Sequence, residues 1–368
     1  MSCSDPLSSS EKSTQGMVDY DENSSAQQEL VKLQEGRIRG LVGCLGELSP
    51  EFVMVDYGCG PGSSAIEAVK PAIEAYRARY ADGPISICHA DQTGNDWTAL
   101  WGLAAGPGGY LTGDPALRSG TAVGSFYRQM VAAGSVALAT CFCASHWFSR
   151  AVHLEAPDSL WFADLTGSAR DQVAARAQAD WTQFLRCRAM ELRSGGFLLV
   201  STLGAVSEEG EVNGTAASGR GTYRAMQAVA RSMADDGLID EASLRSFVFG
   251  LWFMTEAEAR RALEQEGDLA AAFEVEEIAV SPAPHNPDDL FAHAIGDPDA
   301  YSHAYCGYIR AFADSTLKTQ LFEPSAGGDL TVEGLAQEFY RRLTELYRIH
   351  RDVYACEIWH LTVVLRRR

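Results

Sequence analysis

Short apolar runs alternate along the chain with longer stretches of helical spacing. Phe52-Val53-Met54-Val55 ends in Asp56-Tyr57 and opens into Gly58-Cys59-Gly60-Pro61-Gly62, which predicts a buried strand and a glycine-rich turn. A helix should follow, with Ser63 or Ser64 as N-cap and Ile66, Val69 and Ile73 on its apolar face. Ile85 to Cys88 predicts a second strand closing at Ala90-Asp91, and Ser135 to Phe142 a fully buried one. Arg128 to Val131 reads as helical. So does the long stretch from Asp171 to Leu192, which Gly195-Gly196 stops. Phe197 to Leu203 is the next buried strand, and residues 205–221, rich in Gly, Ser and Thr, read as a mobile loop.

Helical spacing runs from Tyr223 to Glu266, interrupted at 247–253, with Thr255 or its neighbour capping the last helix of the series. Phe273 to Val280 alternates as a strand. Helices through Tyr305 to Leu317 and from Leu335 to Ile349 precede a C-terminal strand, Glu357 to Leu365. Ahead of the first strand, Leu30, Leu33, Ile38 and Leu41 mark a helix whose polar head reads, taken alone, as a solvated turn. Residues 1–16 are Ser-rich and aperiodic, the pattern of disorder. Strands alternating with helices predict an α/β fold.

The chemistry hangs on the acid before the turn. The spacing G-x-G-x-G misses the dinucleotide fingerprint G-x-G-x-x-G, and Asp56 would repel a pyrophosphate. It suits a cationic ligand such as S-adenosylmethionine. Asp91, 91 − 56 = 35 residues on, ends the neighbouring strand, where a carboxylate can grip ribose hydroxyls. A methyltransferase therefore outranks a dehydrogenase, with an ordinary β–α turn as the plain alternative. The loop after the third strand, Cys143-Ala144-Ser145-His146-Trp147, lies where sheet edges meet substrates. A core tryptophan and a backbone-satisfied histidine remain the structural alternatives there.

Composition narrows the class. Hydrophobic residues make up 46% and charged residues 21%, enough for a core, and the formal net charge of −19 argues against nucleic acid or anionic membrane as partner. Nine cysteines without C-x-x-C spacing fit free thiols in a reducing cytoplasm. No run reaches transmembrane length, and no cluster suggests a metal.

Several segments, taken in order, resemble the SABATH family of S-adenosylmethionine-dependent methyltransferases. Tyr20 to Gln27 resembles S-Y-A-x-N-S-x-x-Q, Val55 to Cys59 resembles A-D-L-G-C, and Asp91 to Trp97 resembles D-L-P-G-N-D-F. Gly124 to Tyr127 matches G-S-F-Y, Ser145 to Ser149 resembles L-H-W-L-S, and Phe184 to Gly196 resembles F-L-x-x-R-x-x-E-L-x-x-G-G. Asp236 to Ile239 with Phe247 is similar to the family's cap, and Tyr308 to Ala311 to its c-l-R-A. The resemblance covers the chain from about Met17.

What it implies is a Rossmann-like class I methyltransferase sheet over residues 17–204, with helices on both faces, completed by strands near 273–280 and 356–366. A mostly helical cap over 205–325 would cover the substrate. Ser24, Asp56, Gly58, Asp91, Gln92, Ser125 and Phe126 fall on cofactor positions, Asp91 taking the ribose while Gln92 and Phe126 flank adenine. Gln27 and Trp147 fall on positions that hold a substrate carboxylate, His146 beside them, with Cys143 and Trp252 at pocket positions. For Gln27 this overrides the solvated-turn reading. The departures are Ser64 for the family's cofactor-contacting Asn, Cys143 for an aromatic four residues before the Trp, and Gly250-Leu251-Trp252 in the cap. The implied reaction is methyl-ester formation on a small acid without metal or general base, by a homodimer, with a microbial natural-product or signalling acid as substrate. O- or N-methylation of a neutral group, with His146 as base, and a non-catalytic cofactor-binding scaffold are the alternatives.

Overall fold

The computed structural model describes residues 30–46, 51–152, 154, 157–283 and 291–368. Seven strands form one sheet: β1 (Phe52–Tyr57), β2 (Ile85–Asp91), β3 (Leu117–Val123), β4 (Val136–Phe142), β5 (Leu192–Leu203), β8 (Phe273–Pro282) and β9 (Trp359–Arg367). Their order is β3-β2-β1-β4-β5-β9-β8. Strands β1 to β5 are parallel, and β9 runs antiparallel between β5 and β8. The order reverses between β1 and β4, and in open α/β sheets the crevice at such a reversal is where ligands bind.

The sheet separates two cores. Successive side chains on a strand point to opposite faces, so Phe197 and Leu199 of β5 face one core while Leu198 and Val200 face the other. Helix α1 (Glu35–Cys44), through Ile38 and Val42, and helix α2 (Ser63–Arg79), through Ile66, Val69 and Ala72, cover the first face. Helices α4 (Gly167–Glu191), α5 (Arg220–Asp235), α6 (Glu241–Ser246), α7 (Glu256–Gln265), α9 (Pro298–Leu317) and α10 (Val332–His350) contribute to the second and larger core. Two short helices, α3 (Trp97–Ala105) and α8 (Gly267–Ala272), complete the set used below. Strand β4 is buried at every residue, which is why its sequence runs apolar without alternation. Thr255 caps α7 in a full capping box with Glu258.

One element was not expected, and three expectations are corrected. Strand β3 is an edge strand, mostly exposed, and its sequence Leu-Arg-Ser-Gly-Thr-Ala-Val carries no apolar pattern to announce it. Residues 128–131 form bends, not a helix, because the Met130 and Val131 amides are drawn to the Glu191 carboxylate. Residues 205–221 contain a hairpin, β6 (Ala205–Ser207) with β7 (Thr215–Ala217). Arg220 bridges Glu208, Glu211 and Glu357, and Arg224 bridges Asp164 and Glu211, so ion pairs organise what composition read as loose. Finally, Gly62 takes the N-cap position of α2 at φ 118°, leaving Ser63 and Ser64 inside the helix. Residues 1–16, with Ser24 and Gln27, lie outside the described residues.

At the end of α4, Arg188 and Glu191 form an ion pair of 2.6 Å with both side chains fully buried. Tyr57 Oη donates to Glu191 at 2.7 Å, and the Arg188 guanidinium lies 3.7 Å from the Tyr57 ring centre. Arg188 also donates to the carbonyls of Phe126 and Arg128. Removing one partner of such a pair strands a charge without water. Glu191→Ala should therefore cost about 3–5 kcal/mol in urea unfolding, and the double replacement Arg188→Met with Glu191→Leu should cost less than the sum of the single losses.

Candidate functional site

Strand β1 delivers Asp56 to the carboxyl edge of the sheet, where the chain must turn sharply. Gly58 and Gly60 have φ of 76° and 56°, a region closed to most residues. A Cβ on Gly58 would lie 2.3 Å from Ala144 Cβ, so the turn abuts the loop after β4. A Cβ on Gly60 would meet nothing within 4 Å, so that side of the turn is open. Asp91 holds the turn from β2, its Oδ2 accepting from the Gly60 amide at 2.8 Å and its Oδ1 from the Gln92 amide at 2.7 Å. Asn95 donates to the Gly60 carbonyl at 2.8 Å. Phe126 sits beside Gly58, edge-on to Phe184, and Ser125 precedes it after Gly124, whose amide bonds Asp91 O.

Asp56 is 2% exposed, and its polar partner is Thr140, directly opposite it on β4, whose hydroxyl donates at 2.7 Å. Burial pushes this carboxyl up to about 7, against the pull of Thr140 and with a further push from Asp91. Asp91 is raised in the same sense, again by burial first. Two carboxyls held with no basic group among the described residues raising their acidity make a place for a cation.

The loop after β4 builds the second half of the site. Cys143 takes a left-handed φ of 49°, uncommon for a residue with a side chain, as the chain leaves the sheet. The Trp147 amide and carbonyl region is pinned from two sides. Tyr127 Oη donates to the Trp147 and Ser145 carbonyls, while Leu251 pairs with Trp147 and the Trp252 amide donates to the His146 carbonyl at 2.9 Å. His146 Nδ1 shares a 2.7 Å hydrogen bond with Thr202 Oγ1 of β5. Burial pushes this imidazole down to about 3, so it is neutral at any physiological pH.

Cys143, His146 and Trp147 line a cavity with about 630 Å³ of empty space, part of it open to solvent. The aromatic residues Tyr223, Phe253, Tyr308 and Phe312 line it as well, with the aliphatic Leu30, Leu203 and Ile358. Among the described residues lining it none carries a charge, His146 being neutral. Trp252 does not line this cavity. Its ring packs on Phe162 at 4.6 Å and under Arg170, and its neighbour Phe253 faces the cavity instead.

Sequence reading thus placed Asp56, Gly58, Asp91, Gln92, Ser125 and Phe126 around one turn, and Cys143, His146 and Trp147 around one cavity. It missed Thr140, Thr202, Tyr127 and the Arg188–Glu191 pair, which hold those residues in place. The last was visible as two charges three apart on the buried side of a helix. Among the described residues no group of His, Cys, Asp or Glu is arranged for a metal, and no helix is long and apolar enough to cross a membrane.

The family described as SAM dependent carboxyl methyltransferase matches residues 8–368, and the chain belongs to it. It is 27% identical to indole-3-acetate O-methyltransferase 1 of Oryza sativa subsp. japonica, over 60% of this chain and 61% of that enzyme. It is 23% identical to jasmonate O-methyltransferase of Arabidopsis thaliana, over 73% of this chain and 75% of that enzyme. The chain thus spans about three fifths of the rice relative. In fold it is similar to loganic acid methyltransferase solved with SAH, with TM-score 0.71 and 20% identity over 99% of both chains. The turn fits the family's cofactor, S-adenosylmethionine: the cradle is open at Gly60, acids border it, and the buried hydroxyls of Ser63 and Ser64 have no partner among the described residues.

The raised Asp56 gives a signed prediction. In the unfolded chain it ionises near 3.8, in the folded protein near 7, so its contribution to stability falls as pH rises between those values. Asp56→Asn should therefore melt above the wild type at about pH 8 without ligand, and the difference should shrink toward about pH 4. Thermal melts across pH check it.

Proposed function

We propose that this member of the carboxyl methyltransferase family forms the methyl ester of a small, largely apolar carboxylic acid. The observation that carries the reading is the cavity beside Trp147, whose lining among the described residues carries no charge and includes a histidine kept neutral. The cofactor supplies a methyl group on a sulfonium, and an ionised carboxylate can accept it without losing a proton. A neutral hydroxyl or ring N–H acceptor would need a base, and an imidazole with its pKa near 3 is a weak one. Nor does a bare cofactor scaffold account for an apolar cavity beside the turn.

In this reading Asp91 takes the ribose hydroxyls, Gln92 and Phe126 flank adenine, and Asp56, Gly58, Ser125 and Ser24 complete the cofactor cradle. Gln27 and Trp147 donate hydrogen bonds to one carboxylate oxygen and leave the other free for attack. His146, fixed by Thr202, borders the acid. The aromatic wall excludes water that would otherwise solvate the nucleophile, and residues 205–325 serve as the substrate cap, over a pocket that Cys143 widens. The free cysteines fit a reducing cytoplasm. The assembly is proposed as a homodimer, which light scattering decides.

Losing a hydrogen bond to a charged group costs roughly 1.5–3 kcal/mol. Gln27→Ala and Trp147→Phe should each lower kcat/KM about ten- to hundredfold with cofactor affinity kept, and less than additively together. At saturating cofactor, kcat/KM for the acid should show no histidine-like inflection between about pH 5 and 8. Such an inflection, with His146→Ala as the most damaging of the three variants, would establish the hydroxyl or nitrogen acceptor instead.

A further inference from the structure

Thr222 carries a hydroxyl that the fold does not use. It is the third residue of α5, whose N-cap is Gly219 at φ 73° with no side chain to offer. The residue lines the cavity, is 1% exposed, and its Oγ1 has no hydrogen-bond partner among the described residues. Burying a hydroxyl unpaired is unfavourable, and a helical threonine usually avoids it by bonding a carbonyl one turn back. Ser218, in the same wall, shows the ordinary outcome: it bonds the Gly204 and Trp359 carbonyls and accepts from the Trp359 amide.

The position of Thr222 is not slack that could relax away. A Cβ on Gly221 would lie 2.1 Å from the Ala355 carbonyl oxygen, so the first turn of α5 packs directly on the chain before β9. Arg220 is tied to Glu208, Glu211 and Glu357. The residue is therefore held at the cavity wall by a clamped helix end. Among the described residues the wall around it is largely apolar and carries no charge. A second carboxylate would sit there without a cation and an ammonium without an anion, each at heavy cost. A neutral oxygen, by contrast, would satisfy Thr222 whether it donates or accepts, since a hydroxyl does both.

We propose that Thr222 is a specificity-determining residue, and that the substrate is a monocarboxylic acid whose apolar body bears one uncharged oxygen, a hydroxyl or carbonyl, hydrogen-bonded to Thr222 Oγ1. This rests on the carboxyl-methylation reading above. The test is methyl-ester formation by the full-length wild type, Thr222→Val and Thr222→Ser. The probes are octanoate against its ω-hydroxy derivative, phenylpropanoate against its para-hydroxy derivative, and octanedioate as a dianion. Circular dichroism and cofactor binding establish that the variants are folded.

The wild type should favour an oxygen-bearing acid over its plain partner by about tenfold, and reject octanedioate. Thr222→Val, which keeps the shape and loses the hydroxyl, should bring that ratio to near one, and Thr222→Ser should restore most of it. A ratio unmoved by Thr222→Val, a wild type that prefers the plain acids, or ready turnover of octanedioate would overturn the inference while leaving methyl-ester formation intact. Methylation of none of these acids by the wild type would remove the carboxyl reading and this inference with it.

Discussion

Two opposite charges with no water around them set the geometry of the cofactor side. Arg188 and Glu191 can be buried only because each side-chain nitrogen and oxygen on them has a hydrogen-bond partner. The groups that use them come from different elements: Tyr57 from β1 and the backbone of residues 126–131 from the loop after β3. The pair thereby converts a stretch with no regular structure into a rigid support for Phe126 beside the glycine turn. This is also why a segment with helical spacing is not a helix: its amides have a better acceptor.

The site places buried groups according to the charge each must meet. On one side of Ala144, two carboxyls face a turn open at Gly60, poised for a ligand that carries positive charge. On the other side the wall is neutral among the described residues, and burial holds His146 uncharged. The contact between Gly58 and Ala144 brings the two halves together, so a methyl donor and its acceptor can sit against one another without the acids reaching the acceptor's pocket. Any side chain at Gly58 would push them apart.

Much of the fold was legible because burial writes itself into sequence as apolar runs. Strands β1, β2, β4, β5 and β9 and the long helices show this plainly, while β8, an edge strand with only Phe273 and Ile278 buried, was legible from its alternation. Strand β3 was silent because an edge strand buries little, and the β6–β7 hairpin because ion pairs from Arg220 and Arg224 leave no periodic trace. At the site, acids and glycines before a helix announced themselves. Thr140 and Thr202 did not, since one hydroxyl in an apolar strand reads as noise until the register pairs it with Asp56 or His146. Trp252 packs on Phe162, and its neighbour Phe253 lines the cavity instead.

The central claim is that an ionised carboxylate accepts the methyl group. Incubation of the full-length protein with methyl-labelled S-adenosylmethionine and a panel of aromatic, isoprenoid and fatty acids, followed by mild base, tests it most directly. The account predicts organic-extractable label that base releases as methanol, with the free acid recovered. Label that survives base on an oxygen or nitrogen other than the carboxylate would contradict it.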